Sequence, residues 1–169
     1  GTEWLWNEKV GGYCARDLRT SKFSNGLTNA SMLSFYAGVG SDEQQKKSLD
    51  NCRRIMKACK FAMPSWDPQH PGFESHRYWR GPVWAIMNYM IARGLSDTGF
   101  KDLAFRVNSD TKSLIEDNGM AEYFDPLVGK GLGGMNVSWA AAVYLDLCRD
   151  SLTKDTKGIV KRARAHGFN

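Results

Sequence analysis

The sequence predicts an all-α fold with helices in two layers, and three observations carry that prediction. Apolar residues return at three- and four-residue spacing in two stretches. One is Leu49, Cys52, Ile55, Met56 and Cys59; the other is Phe100, Leu103, Ala104, Val107, Leu114 and Ile115. Each is the buried stripe of an amphipathic helix. Between them, Gly81 to Arg93 is apolar around most of its circumference, through Val83, Trp84, Ile86, Met87, Tyr89, Met90 and Ile91. Such a helix has no face for water and belongs inside others. Third, no succession of strand-length alternating segments occurs. Inner helices paired with amphipathic outer ones are the pattern of two concentric layers.

In order along the chain, Trp4 to Asp17 reads as a loop or short hairpin. Leu5-Trp6-Asn7-Glu8 and Tyr13-Cys14-Ala15 flank a turn at Gly11-Gly12. Leu18 to Thr28 is polar and loop-like. Asn29 to Ala37 is a short helix stopped by Gly38 and Gly40. Ser41 is placed as an N-cap, with Asp42 and Glu43 in the first turn where the helix dipole favours acids. That helix runs to Lys60. Phe61 to Arg77 is a long loop broken by Pro64, Pro68 and Pro71, and loops of this length in a compact domain usually carry function. The inner helix follows, then Thr98 to Asn118, ended by Gly119. After the loop with Glu122, Val137 to Leu147 forms a last apolar helix. This divides the chain into a helical domain, 1–150, and a basic terminal element, 151–169.

Composition narrows the function classes. The chain is 42% hydrophobic and 24% charged, an ordinary globular balance, and 12% aromatic with six tryptophans. The net charge of +5 draws heavily on Lys154, Lys157, Lys161, Arg162 and Arg164. No nucleic-acid motif accompanies them, so a solvated terminal helix is expected and no nucleic-acid partner. Cys14, Cys52, Cys59 and Cys148 form no Cys-x-x-Cys pair, and no histidine stands at ligand spacing. Cys52 and Cys59, seven apart on one helix, are about 10 Å apart and too distant for a disulfide. Buried, reduced thiols point to the cytoplasm. The sequons at Asn29 and Asn136 are common chance triplets. No membrane span or signal peptide is visible. The Gly129 to Gly134 run lacks the Lys-Ser/Thr ending and the preceding strand of a phosphate cradle. Neither a cofactor nor a metal is expected.

The chemistry concentrates in Tyr78-Trp79-Arg80-Gly81-Pro82-Val83-Trp84. Indole and phenol faces stack on the C–H faces of sugars, and arginine offers five fixed donors. Aromatics at a loop–helix junction also serve as core, in which case Arg80 is a paired structural arginine.

Three further motifs follow: Asn88-Tyr89; Glu122-Tyr123-Phe124-Asp125-Pro126 with Gly129 and Gly131; and Ser138-Trp139-Ala140-Ala141. Together these stretches resemble the C-terminal part of glycoside hydrolase family 63, which includes processing α-glucosidases and mannosylglycerate hydrolases, with trehalases more distant. The resemblance spans about Leu5 to Leu147. Ser138-Trp139-Ala140-Ala141 is similar to the mannosylglycerate hydrolase branch, as are Leu5-Trp6-Asn7-Glu8 and Asp17-Leu18-Arg19-Thr20. That branch carries a glutamine near position 136 or 137. This chain has Met135-Asn136-Val137, so Asn136 is the candidate substitute.

The resemblance implies the C-terminal portion of an (α/α)6 toroid. It also implies an inverting α-glycosidase acting on an α-glucoside or α-mannoside, with mannosylglycerate or glucosylglycerate as candidate substrates. Glu122 is then the general base. Tyr78, Trp79, Arg80, Gly81 and Trp84 line the sugar site: Trp79 as stacking platform, Gly81 for close backbone approach, Arg80 for a carboxylate or a substrate oxygen. Inversion needs a second carboxyl about 6.5–9.5 Å away to admit water. In the family that acid is an aspartate on a much earlier loop. Asp17, Asp67 and Asp125 lack its context, and Asp125, before Pro126, is expected to shape a turn. The upstream half of the toroid, or another chain, is the partner this requires. The alternative is a non-catalytic subunit or binding module that kept the fold.

Overall fold

The computed structural model describes residues 2–149. The basic element expected over 151–169 lies outside them. Helix α1 (Thr2–Leu5) leads into a two-residue antiparallel ribbon, β1 (Trp6–Asn7) with β2 (Gly12–Tyr13). A 3-10 turn, Asn29–Met32, runs into α2 (Leu33–Ala37), followed by α3 (Asp42–Lys57), α4 (Ala85–Asp97) and α5 (Lys101–Asn118). A second ribbon, β3 (Tyr123–Phe124) with β4 (Gly131–Leu132), precedes α6, residues 138–149. The predicted hairpin, helices and long loop are all present; α1 carries no sequence signal and was not foreseen.

The capping at Ser41 is as the sequence predicts. Its Oγ accepts from Gln44 N (3.3 Å) and Gln44 Oε1 accepts from Ser41 N (3.0 Å), a reciprocal box. Several boundaries differ: the 29–37 helix opens as a 3-10 turn, α5 begins at Lys101 rather than Thr98, and three others have a tertiary reason. Helix α3 ends at Lys57, and the Arg106 guanidinium of α5 donates to the carbonyls of Cys59 (3.3 Å) and Lys60 (3.1 Å) just beyond it. Helix α4 begins four residues later than predicted because Val83 is extended, exchanging hydrogen bonds with Phe124 at 2.7 and 2.9 Å. It also continues past Gly94, where the glycine serves packing. A Cβ there would lie 2.2 Å from Tyr36 N, so the backbones of α4 and α2 touch.

Helix α4 sits between two apolar clusters. Ile91, Ala92 and Leu95 pack with Met32 and Phe35, with Leu49, Cys52, Ile55 and Met56 of α3, and with Val107 of α5. Ala85 joins Leu114 and Ile115 of α5, Phe124, and Val143 and Leu147 of α6. The inner–outer pairing follows: α2, α4 and α6 are inner, α3 and α5 outer. Asn88, fully buried on α4, clamps the loop after α3. Its Oδ1 accepts from Met63 N (3.1 Å), and its Nδ2 donates to Ala62 O (2.8 Å) and Thr111 Oγ1 (2.8 Å).

The loops before the inner helices lie side by side. Isolated antiparallel bridges link Thr28 to Trp66, Pro64 to Val83, and Val83 to Phe124. This strip of main-chain pairing carries Tyr78–Trp84 and Glu122 at one end of the helical layers. Cys14, Cys52 and Cys59 are buried and all four cysteines are free. Burial pushes the Cys52 and Cys59 thiols up to about 12, which makes them inert as nucleophiles. The Asn29 sequon is also buried. Among the described residues no helix is long and apolar enough to cross a membrane, and no metal-ligand cluster occurs.

Candidate active site

Glu122 is held by the chain that follows it. Gly119 ends α5 with φ +75°, its N–H on Ile115 O (2.8 Å), and turns the backbone away. Glu122 N then donates to Gly134 O (2.8 Å), and Gly134 N donates back to Glu122 Oε2 (3.0 Å). Main chain and carboxylate are tied to the same residue. Only glycine fits at 133: its φ is +73°, and a Cβ there would stand 2.6 Å from Oε2. Trp139 Nε1 at the start of α6 donates to Glu122 O (3.3 Å). The half-buried carboxylate is therefore anchored through one oxygen, and the described residues offer Oε1 no hydrogen bond.

The aromatic stretch meets this loop through Trp84. This residue is 2% exposed, and its ring stacks on Trp79 at 3.9 Å with planes 3° apart. It also stacks on Tyr123 at 4.9 Å and tilts against Trp139 at 6.2 Å. Trp84 Nε1 donates to Tyr78 O (3.1 Å), and the Tyr78 ring sets its edge against Trp79, Trp84 and Tyr123. Tyr78 has φ +36°, a left-handed backbone that costs a non-glycine residue about 1–3 kcal/mol. Trp79, 42% exposed, keeps an open side beyond its stacking partner. The structure thus brings Tyr78, Trp79, Trp84 and Glu122 into one neighbourhood, with Trp84 as the buried brace. Tyr123 and Trp139 join them; their place in the Glu122 and Trp139 motifs was the only sequence signal.

The other sequence candidates have different surroundings. Arg80 Nε donates to Gly72 O (3.2 Å) and Nη1 lies 3.6 Å from Glu74 Oε1, leaving the head 41% exposed. The close approach at Gly81 is internal: a Cβ there would sit 2.2 Å from Glu74 O. Asn136 is exposed, with φ +60°, in the loop before α6.

Asp17, Asp67 and Asp125 are each engaged as acceptors. Asp17 Oδ1 caps its own turn through the amides of Arg19 and Thr20 and the Thr20 hydroxyl, and the Thr20 amide leads in holding its carboxyl low. Asp67 forms a bidentate pair with Arg54, at 3.0 and 2.6 Å. Burial pushes its carboxyl up, but Arg54 and the Gln69 amide outweigh that and leave it below the ordinary carboxylate range. A group held low is a poor proton donor at neutral pH. Asp125 Oδ1 accepts from the amides of Leu127 (2.6 Å) and Val128 (3.1 Å), the turn expected before Pro126. Its Oδ2 accepts from Ser75 Oγ (3.0 Å) and lies 2.7 Å from His76 Nε2. Nothing in the sequence marks that pairing, since the partners are 50 and 49 positions apart.

Residues 1–140 match the model of the mannosylglycerate hydrolase MGH1-like glycoside hydrolase domain. The chain belongs to that family. It is 39% identical over 145 residues to a mannosylglycerate hydrolase of Thermus thermophilus, covering 86% of this chain and 35% of the relative. A glucosylglycerate hydrolase of Mycolicibacterium hassiacum is 33% identical over 84 residues, half of this chain and 19% of the relative. Among solved structures, a GH63 mannosylglycerate hydrolase of Thermus thermophilus in complex with Tris and D-glycerate superposes with a TM-score of 0.81 at 39% identity, over 85% of this chain and 35% of that one. The fold is thus a portion of the family's (α/α)6 toroid. The chain spans about a third of the length of the Thermus relative.

Proposed function

We propose that this member of the mannosylglycerate hydrolase-like family supplies the general-base side of an inverting glycosidase site, acting on an α-mannoside or α-glucoside of a small hydroxy acid such as glycerate. The single observation that carries this is the one-sided anchoring of Glu122. Oε2 is pinned by Gly134 N–H, and Oε1 is left to polarise a water. Trp79 offers a stacking face for the sugar, held in place by Trp84. Arg80 and Asn136 supply polar contacts to the sugar acid, with Arg80 the partner for a carboxylate. The names of the relatives support the sugar-acid class, and the engagement of Asp17, Asp67 and Asp125 supports an acid from outside this chain.

Mechanistically, the base takes a proton from water as the oxygen attacks the anomeric carbon, while the acid protonates the departing oxygen on the other face. The test is hydrolysis of mannosylglycerate and glucosylglycerate by the full-length protein, with the anomer of the first product read by NMR. A β-sugar released from the α-glycoside is expected. An α-product rules out inversion. Binding without hydrolysis favours the non-catalytic module.

A further inference from the structure

The turn that carries the platform is closed on itself. Glu74 N donates to Arg80 O (2.8 Å) and Arg77 N to Glu74 O (3.0 Å), so residues 74–80 form one hydrogen-bonded unit that carries Tyr78 and Trp79. Besides the edge contact of the Tyr78 ring with Tyr123, two polar links join this unit to the Glu122 loop. The Val83–Phe124 main-chain pair fixes its base. Asp125, three residues after Glu122 and 2% exposed, fixes its flank. That carboxylate accepts from two amides of its own turn through Oδ1, and takes Ser75 Oγ and His76 Nε2 on Oδ2. The His76 side chain is 66% exposed, so it fills no core space and its removal opens no cavity. Its imidazole Nε2 lies 2.7 Å from Asp125 Oδ2.

We propose that His76 and Ser75 are positioning residues: through the Asp125 carboxylate they set the spacing between the Trp79 platform and the Glu122 carboxylate, and so act on how a bound glycoside is presented to the base. This rests on the proposed function. A side chain placed for packing alone would be buried, whereas here an exposed imidazole grips a buried carboxylate beside the candidate base. Misplacement by about 1 Å costs on the order of a hundredfold in rate, so a latch of this kind has leverage without contributing much to stability.

The experiment compares His76→Ala, His76→Gln and Ser75→Ala in the full-length protein. It measures kcat and KM on mannosylglycerate and glucosylglycerate, the thermal midpoint, and the far-ultraviolet exciton couplet expected of the stacked Trp79–Trp84 pair, with Trp79→Phe marking its loss. His76→Ala is expected to weaken the couplet, raise KM and lower kcat, for a combined loss of about tenfold or more in kcat/KM, with the thermal midpoint nearly unchanged. His76→Gln, which keeps a donor, restores most of it, and Ser75→Ala acts in the same direction more weakly. A couplet and kinetics unchanged in His76→Ala overturn the proposal. So does a lower kcat with unchanged KM and a fallen midpoint, the mark of lost folded protein. A wild type inactive on both glycosides removes the enzymatic function, and the couplet then decides the latch by itself: unchanged in His76→Ala, it overturns it.

Discussion

Glu122 and Asp67 are both carboxylates near Gly-rich or Pro-rich loops, yet their surroundings differ. Glu122 is pinned through Oε2 alone. Glu122→Gln keeps the shape and the contact to Gly134 N–H but cannot take a proton from water. Turnover by the full-length protein is expected to fall about a hundredfold or more with ligand affinity largely kept; near-normal turnover excludes it as the base. Asp67 is saturated by Arg54. Its folded carboxyl is held below the unfolded value of about 3.9, so its stabilisation is fully present above that value and lost as pH falls through the folded one. Urea unfolding of the chain is expected to show a stability loss below about pH 4 that Asp67→Asn flattens. The variant is also expected to be less stable at pH 7, where the wild-type carboxylate is ionised. An acid profile unaltered by Asp67→Asn removes the linkage.

Helix α4 is where elements depend on one another. The sequence predicts that this helix ends at Arg93, just before Gly94, but the helix runs on to Asp97. The absent side chain is what lets α2 lie against α4 at backbone contact. Gly94→Ala adds helix propensity but drives a methyl into Tyr36 N. It is expected to destabilise by about 1–3 kcal/mol or more, read as a lower denaturation midpoint. Asn88→Ala leaves Met63 N, Ala62 O and Thr111 Oγ1 to find other partners in a site without exposure. Each unsatisfied group costs about 1–3 kcal/mol, and the variant is expected to lose more stability than Gly94→Ala. A mild phenotype at Asn88 would show that water replaces the amide.

At the scale of the molecule, the described residues form inner and outer helices around no closed centre. Ile86, Tyr89, Trp139, Ala142, Val143 and Asp146 line an open, mostly apolar depression of about 300 Å³ between α4 and α6. In a complete toroid, the inner helices face one another across such space. The isolated 169-residue chain is expected to self-associate by light scattering, because apolar surface of this kind drives association. Under the proposed function, which places the acid outside this chain, it is also expected to release no mannose or glucose from mannosylglycerate or glucosylglycerate. A monodisperse, active monomer of this length would sink both expectations; activity gained on adding the rest of the toroid supports them.

Local chemistry determined much of this protein. Ser41 and Gln44 form the capping box their spacing encodes. Gly11, with φ +62°, closes the turn of the first ribbon, and Gly12 already pairs with Asn7. The stripes at Leu49–Met56 and Ala104–Ile115 bury as written, because a helix face is set by spacing alone. The motifs around Trp79, Glu122 and Trp139 were legible as one family's signature. What tertiary structure alone decided is how distant segments satisfy each other's polar groups. Val83 is extended because Phe124 pairs with it, Gly81 is small because the Glu74 carbonyl needs its space, and Trp84 is a buried brace because Trp79 and Tyr123 cover its faces. His76 reaches Asp125 across 49 positions, and no periodicity records such a contact. Sequence spacing encodes which side of an element is apolar, whereas hydrogen bonds between loops depend on where the packed helices deliver their ends.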